Sequence, residues 1–229
     1  MTKIYGIGVG PGDPELITVK GLRILRSCGV VAYQSAVGHS SVARAIVADY
    51  LRQEQIEVAY HLPRALSGEG VDYDRAIAPI LPYLDQGQDV AVLCEGDPLL
   101  YGSFMYVFTR LRSQYPIEVI PGVCSPLVAA AVLGLPLSYR QEVFKIIPAT
   151  APVERLKTEL GTVDACAIIK LSNHFAKVRS VLTELNLLHR AFYIERATME
   201  EQKVIPIELV DPQNVPYFSL ILIPTQSVL

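Results

Sequence analysis

The sequence predicts two α/β domains: an N-terminal one on a mostly parallel, doubly wound sheet and a C-terminal one on a mixed sheet. Three observations predict this. Strand-like and helix-like patterns alternate through the first 122 residues, as parallel strands joined by crossover helices require. Beyond residue 122 the last three strand-like runs are joined by short turns, which suits antiparallel pairing. Hydrophobic residues are 51% of the 229 and charged residues 19%. That is enough apolar material for a sizeable core and too much for a disordered chain. Domains of 1–122 and 123–229 are therefore expected.

The elements follow in order. Ile4 to Val9 reads as a buried strand that ends in Gly10-Pro11-Gly12, a turn that cannot continue a sheet. Asp13-Pro14-Glu15 then opens a helix running to Gly29: Asp13 suits the cap, Pro14 the first turn and Glu15 the positive end of the dipole. Val30–Tyr33 is the next strand, Val42–Leu51 is helix-like and Glu57–His61 strand-like. Ile77, Ile80, Leu81 and Leu84 have helical spacing, interrupted by Pro79 and Pro82. Asp89–Cys94 is a core strand, Tyr101–Leu111 a helix and Ile117–Ile120 a strand. In the second half, Ser125-Pro126 starts an Ala-rich helix that stops at Gly134-Leu135-Pro136. Strand-like runs follow at 143–147, 165–170, 191–195, 204–207 and 218–223, with helical patterns in the first two gaps only.

Charge and cysteine usage exclude several classes. Lys and Arg number 20 and Asp and Glu 23, for a formal net charge of −3. A generic nucleic-acid binder would be basic. Cys28, Cys94, Cys124 and Cys166 form no C-x-x-C pair and have no His at ligand spacing, so no metal site is expected. Reduced cysteines point to a cytoplasmic setting. The opening residues carry no apolar leader. No uncharged run reaches the roughly 18 residues of a membrane span, so no membrane association is expected.

Three strand-to-helix turns carry the candidate chemistry. Gly6-x-Gly8-x-Gly10-Pro11-Gly12 fails as a dinucleotide fingerprint, because the sixth place from Gly6 is Pro11 and from Gly8 is Asp13. It also lacks the Gly-Lys-Ser/Thr of a P-loop, and Asp13 and Glu15 would repel a phosphate. It is either a tight turn or a place where a ligand approaches the backbone. Cys94-Glu95-Gly96-Asp97-Pro98-Leu99-Leu100-Tyr101-Gly102-Ser103 follows a core strand, where open α/β sheets bind ligands. Its carboxylates could serve in acid–base chemistry, hold a metal or accept hydrogen bonds from a ligand's hydroxyls or amine, or Asp97 could cap the turn. Pro121-Gly122-Val123-Cys124-Ser125-Pro126 is the third turn; it lacks the G-x-S-x-G of a nucleophile elbow. Lys170 stands out among the basic residues because it ends the apolar run Ala165–Ile169, either snorkelling or facing a cleft.

Together these turns resemble one family. Gly8-Val9-Gly10-Pro11-Gly12-Asp13-Pro14-Glu15-Leu16, Glu95-Gly96-Asp97-Pro98 and Pro121-Gly122-Val123-Cys124-Ser125 resemble, in order, three loops of the tetrapyrrole methylases, which use S-adenosylmethionine. Within that family, Glu95–Tyr106, Lys170-Leu171-Ser172-Asn173-His174, Tyr193–Met199 and Pro216–Leu220 resemble the branch that methylates C20 of precorrin-2 or cobalt-factor II on the route to cobalamin. Cys124-Ser125 stands where a Thr-containing pair is more usual, and Glu95 where uroporphyrinogen methylases carry a second glycine.

The resemblance implies a homodimer of two α/β domains, distinct from the Rossmann-type methyltransferases, with the cofactor in the cleft between the domains. It implies S-adenosylmethionine contacts at Pro11, Gly96, Asp97, Leu100, Cys124, Ser125, Leu171 and Ala197. Candidate bases for the proton leaving C20 are Glu95, Tyr33, Tyr101 or water. Candidate partners for the carboxylates of the tetrapyrrole are Lys145, Lys170 and Arg196, with Arg64 and His39 behind them. The competing readings are a sibling methylase on uroporphyrinogen III, a later corrinoid or the modified histidine of an elongation factor, and a non-catalytic tetrapyrrole-binding protein.

Overall fold

A computed structural model describes residues 2–35, 40–62 and 73–227. Arg64 and His39 lie outside the described residues. The chain divides into two compact units, Met1–Cys124 and Ser125–Leu229.

The first unit is the parallel sheet that the strand–helix alternation predicts. Its strands are β1 (Ile4–Gly8), β2 (Val30–Gln34), β3 (Ile56–Tyr60), β4 (Val90–Cys94) and β5 (Ile117–Ile120), in the order β3-β2-β4-β1-β5. All four pairings are parallel. Helices α1 (Val19–Ser27), α2 (Val42–Ile46), α3 (Tyr73–Ile77), α4 (Leu81–Asp85) and α5 (Phe104–Leu111) cover the two faces. The period of two along β4 sorts the core: Val90, Val92 and Cys94 pack with Phe104, Val107 and Leu111 of α5. Ala91 and Leu93 turn the other way and pack with Ile24 and Leu25 of α1. Burial on both faces accounts for the unbroken apolar runs of these strands.

Local chemistry revises two of the helices. The helix expected to open at Asp13 is split. The Asp13 carboxylate accepts the Glu15 N–H at 2.8 Å over a short 3-10 turn, Pro14–Leu16. Ile17 and Thr18 are then extended, and α1 starts only at Val19, with the Thr18 hydroxyl capping the Gly21 N–H at 3.0 Å. Pro79 and Pro82 cut the next helical run into α3, a 3-10 turn (Ala78–Ile80) and α4. Each proline falls in the first turn of a new piece, where its missing N–H costs nothing.

The second unit is the predicted mixed sheet. Helix α6 (Ser125–Leu133) precedes β6 (Phe144–Pro148), α7 (Val153–Leu160), β7 (Ala165–Ile169), α8 (Phe175–Glu184), β8 (Phe192–Glu195), β9 (Lys203–Ile205) and β10 (Ser219–Ile223). The order is β6-β7-β10-β8-β9. β6 and β7 are parallel, and β10 runs antiparallel to both β7 and β8. Cys166, Ile168, Tyr193 and Ile221 form one core with Leu156, Leu160, Phe175 and Val178 of α7 and α8. Tyr193 meets Phe175 edge-on at 5.4 Å.

One ion pair and a neighbouring phenol link three elements of the first unit. Arg44 of α2 makes two bonds of 2.9 Å to Glu57 of β3, and Glu57 also accepts from Tyr33 of β2. The guanidinium holds the Glu57 carboxyl below its ordinary range. The stability so gained is present above the unfolded carboxylate pKa and is lost as pH falls through the lowered value. Both side chains are about a third exposed, so Glu57→Gln is expected to cost only about 0.5–1 kcal/mol at pH 7. Urea titrations should show that difference closing below roughly pH 4.

Candidate functional site

In the first sheet β1 lies between β4 and β5, and the three strands point the same way. Their carboxyl ends therefore bring the three sequence turns to one edge. Backbone bonds join the first two turns: the Val9 N–H donates to Cys94 O at 3.0 Å and the Gly96 N–H to Gly10 O at 2.8 Å. The third is joined through a side chain. Asp97 accepts the Leu99 N–H on Oδ1 at 2.9 Å and the Gly122 N–H on Oδ2 at 3.1 Å. It reaches the Gly122 turn from β4, with β1 in between.

This crossing leaves no room for side chains beneath it. A Cβ on Gly8 would stand 2.5 Å from both Gly96 O and Gly122 N. One on Gly122 would stand 2.0 Å from Gly96 O. Gly96 itself is left-handed at φ +63°, a conformation glycine adopts without strain. Gly6, the first glycine of the series, serves packing instead: the Phe104 ring lies where its Cβ would be.

Residues 8–15, 94–103 and 120–124 contain no Lys or Arg. The turns offer backbone donors and acceptors together with the carboxylates of Asp13, Glu15, Glu95 and Asp97. That suits a ligand without phosphate and tolerates one with positive charge. Pro11 is buried at this edge, Leu100 and Cys124 are half-buried, and Leu99 and Tyr101 are exposed. Tyr101 is left-handed at φ 53°.

The three candidate bases have different surroundings. Glu95 Oε1 accepts the Ala43 N–H at 3.2 Å, in the first turn of α2. Burial and the hydrogen bond to Glu57 push the Tyr33 phenol above its ordinary pKa, so it stays protonated at neutral pH and donates. Tyr101 stands on the exposed turn. Burial also raises three thiols: Cys28 and Cys94 to about 11 and Cys166 to about 12. Among the described residues no group of three His, Cys, Asp or Glu side chains could hold a metal ion, and no helix is long and apolar enough to cross a membrane.

The second unit has a comparable edge. β7 and β8 flank β10 and run in the same direction, so Lys170 and Arg196 leave the sheet at the same end. The Lys170 ammonium donates to the Tyr217 hydroxyl at 2.9 Å. Arg196 donates its N–H to Phe218 O at 2.7 Å, and the Thr198 N–H donates to Gln202 Oε1 at 2.7 Å. Leu171 and Ala197 are buried, and Ser125 is the first residue of α6. Lys170, Ser172, Arg196 and Thr198 are all left-handed, at φ 60°, 28°, 47° and 66°. Such conformations cost non-glycine residues about 1–3 kcal/mol each and gather at functional sites.

Lys145 is not brought to this edge. It pairs in register with Cys166, near the start of β7, and its ammonium is held by Glu159 O at 2.9 Å, Thr162 Oγ1 at 3.2 Å and Glu159 Oε2 at 3.3 Å. Two features escaped sequence reasoning. Tyr217 is the partner of Lys170, although only its place in the Pro216–Leu220 segment marked it. Glu195 is 7% exposed and accepts from the Tyr193 hydroxyl at 2.7 Å; burial and this carboxylate push the Tyr193 phenol up. Their i, i+2 spacing puts both on one face of β8, but nothing in the sequence marked that carboxylate as buried.

The fold and these edges define an α/β protein with backbone-built turns at the carboxyl ends of its parallel strands, without Lys or Arg in them. A family model, Tetrapyrrole (Corrin/Porphyrin) Methylases, matches residues 3–211. Cobalamin biosynthesis protein CobIJ of Mycobacterium tuberculosis is 41% identical over 231 residues, 96% of this chain and 46% of that protein. The chain thus spans about half the length of that relative. Precorrin-2 C(20)-methyltransferase of a Sinorhizobium species is 34% identical over 232 residues, 97% of this chain and 95% of that enzyme. Uroporphyrin-III C-methyl transferase from Thermus thermophilus, solved in complex with S-adenosyl homocysteine, shares the fold. Its TM-score is 0.72 at 23% identity, over 97% of this chain and 92% of that one. The chain belongs to the tetrapyrrole methylase family.

The glycine crossing is testable by substitution. Gly122→Ala must displace Gly96 O or Gly8 and is expected to cost about 1–3 kcal/mol or more. Gly29→Ala, where a Cβ meets nothing within 4 Å, is expected to stay within about 0.5 kcal/mol. Thermal and urea melts of the two variants check the contrast.

Proposed function

We propose that this chain is an S-adenosylmethionine-dependent methyltransferase that methylates C20 of precorrin-2, metal-free or carrying cobalt, in cobalamin biosynthesis. The alignment with the Sinorhizobium C20 enzyme, nearly end to end on both chains at 34% identity, carries the reading. The turns of the first unit fit the cofactor on chemical grounds. They have no cation to bind a phosphate, their carboxylates tolerate a sulfonium, and their glycines open the backbone to a ligand. Pro11, Gly96, Leu100 and Cys124 are proposed to line it, and Ser125, Leu171 and Ala197 belong to the same proposal. The homodimer and cytoplasmic setting implied by the family resemblance belong to it as well.

S-adenosylmethionine supplies, when bound, a methyl group already activated for transfer. What the chain must add is alignment of the accepting carbon at near-attack distance, worth on the order of 7–11 kcal/mol at the upper end. Rigid turns fixed by several mutual hydrogen bonds suit that task. The proton leaving C20 needs only a weak base. The Tyr33 phenol is a donor to Glu57, which leaves Glu95, Tyr101 and water as the candidates. Lys170 and Arg196, at one end of their sheet, are the proposed partners of substrate carboxylates; Lys145 is already paired with Glu159.

The deciding assay incubates the protein with S-adenosylmethionine and, in parallel, metal-free or cobalt-loaded precorrin-2. A gain of one methyl group on either ring, with release of S-adenosylhomocysteine, is the expected result. The preferred ring then names the substrate. Cofactor binding without transfer to either ring would overturn the C20 assignment and move the search to sibling substrates. Lys170→Ala is expected to raise the substrate KM about tenfold, the loss of one charge-assisted bond, with S-adenosylhomocysteine affinity unchanged. An unchanged KM would remove Lys170 from the substrate site.

A further inference from the structure

Asp97 lies in the most ligand-like turn of the first unit, yet both carboxylate oxygens accept from the protein itself. Oδ1 takes the Leu99 N–H at 2.9 Å, within its own turn, and Oδ2 takes the Gly122 N–H at 3.1 Å, on the turn after β5. The first bond is the ordinary device by which Asp stabilises a turn. The second spans 25 residues and joins the third turn to the Glu95–Ser103 turn. The Gly122 turn sits against Gly8 and Gly96 at a distance where neither Gly8 nor Gly122 could carry a Cβ.

We propose that Asp97 is a positioning residue. Its carboxylate fixes the Gly122 turn against the Glu95–Ser103 turn, and the ligand is gripped by backbone that Asp97 holds in place, not by the carboxylate. The ligand in question rests on the reading of these turns as an S-adenosylmethionine site. The distinction has a chemical consequence. A carboxylate touching the ligand discriminates among ligands by the polar group it meets. A carboxylate that only sets the turn weakens every ligand of the turn by one factor.

Asp97→Asn replaces one acceptor oxygen by an NH2 group, which must face one of the two N–H donors whichever way the amide turns. Asp97→Ser keeps a hydroxyl able to accept from the Leu99 N–H but too short to reach Gly122, and it serves where the Asn variant does not fold. Two readouts are needed. In the ligand-free protein, hydrogen exchange of the Gly122 amide should speed up by roughly tenfold or more, as expected for loss of a charged acceptor. Affinities for three probes are then compared: S-adenosylhomocysteine, 5′-methylthioadenosine, which lacks the amino-acid part, and its 2′,3′-dideoxy form, which lacks the ribose hydroxyls. All three should weaken by the same factor. Unchanged Gly122 exchange overturns the proposal. A loss of affinity that disappears with one probe's missing group also overturns it, by showing direct contact. If the unsubstituted protein binds none of the probes, the cofactor reading fails, and the exchange readout alone decides the role of Asp97.

Discussion

The first unit depends on one steric constraint: three turns must pass over the end of β1 where Gly8 has no side chain. Adjacent strands stand about 4.8 Å apart, so the turns after β4 and β5 are separated by the width of β1. They meet only because the Glu95–Ser103 turn folds across it. Gly96 O and Gly122 N occupy the space over Gly8, and Asp97 closes the crossing from above. Buried backbone groups must find partners. Here the turns supply them to one another, through Val9 to Cys94, Gly96 to Gly10 and Gly122 to Asp97. The glycines of this series thus serve three purposes. Gly6 makes room for the Phe104 ring, Gly8 and Gly122 permit the crossing, and Gly96 supplies the left-handed bend.

Charge divides along the same lines. The turns of the first unit hold carboxylates and no cation, whereas the corresponding strand ends of the second hold Lys170 and Arg196. Under the proposed function, a small cationic cofactor and a polyanionic ring place opposite demands on a protein surface, and each unit has an edge whose charge suits one of them. The Lys170 ammonium is held over an exposed tyrosine, 5.0 Å from the centroid of Tyr217. A phenol hydroxyl is a weak partner for an ammonium compared with a carboxylate. This cation is therefore presented with a partner that an incoming carboxylate can replace. The ammonium of Lys145, by contrast, is already opposite Glu159.

The sheets were legible in the sequence because their signal is local and strong. Five-residue apolar runs such as Val90–Cys94 and Ala165–Ile169 have few alternatives, and the shift from crossover helices to short turns identified the mixed sheet. Helix starts were less legible. Asp13-Pro14-Glu15 carries every feature of an N-terminus, yet the structure spends them on a 3-10 turn and gives α1 to Thr18. Thr18 is an equally good cap, and two caps five residues apart cannot be ranked by local chemistry. The motif order placed the turns at one edge, but the partners of their side chains depend on sequence separations of 25 to 52 residues. No pattern along the chain shows that Glu95 reaches Ala43, or that Tyr217 reaches Lys170.

Backbone strain concentrates in the turns at the strand ends. Seven described non-glycine residues adopt positive φ. Asn186 needs no functional account: it follows α8, the Leu187 N–H returns to Leu182 O at 2.8 Å, and asparagine tolerates this conformation at helix ends. Arg140 lies in the turn before β6. The other five, Tyr101, Lys170, Ser172, Arg196 and Thr198, all fall at the carboxyl ends of strands or in the turns that follow them. Glycine would relieve the cost at each, so the side chains are retained against a penalty of about 1–3 kcal/mol apiece. The bonds that hold these backbones, Arg196 to Phe218 O and Thr198 to Gln202, come from segments distant in sequence or from the turn itself. A left-handed residue at a strand end turns the chain sharply and aims its side chain off the sheet axis. For Lys170 and Arg196 that bend falls where a buried strand ends and a charged residue follows it.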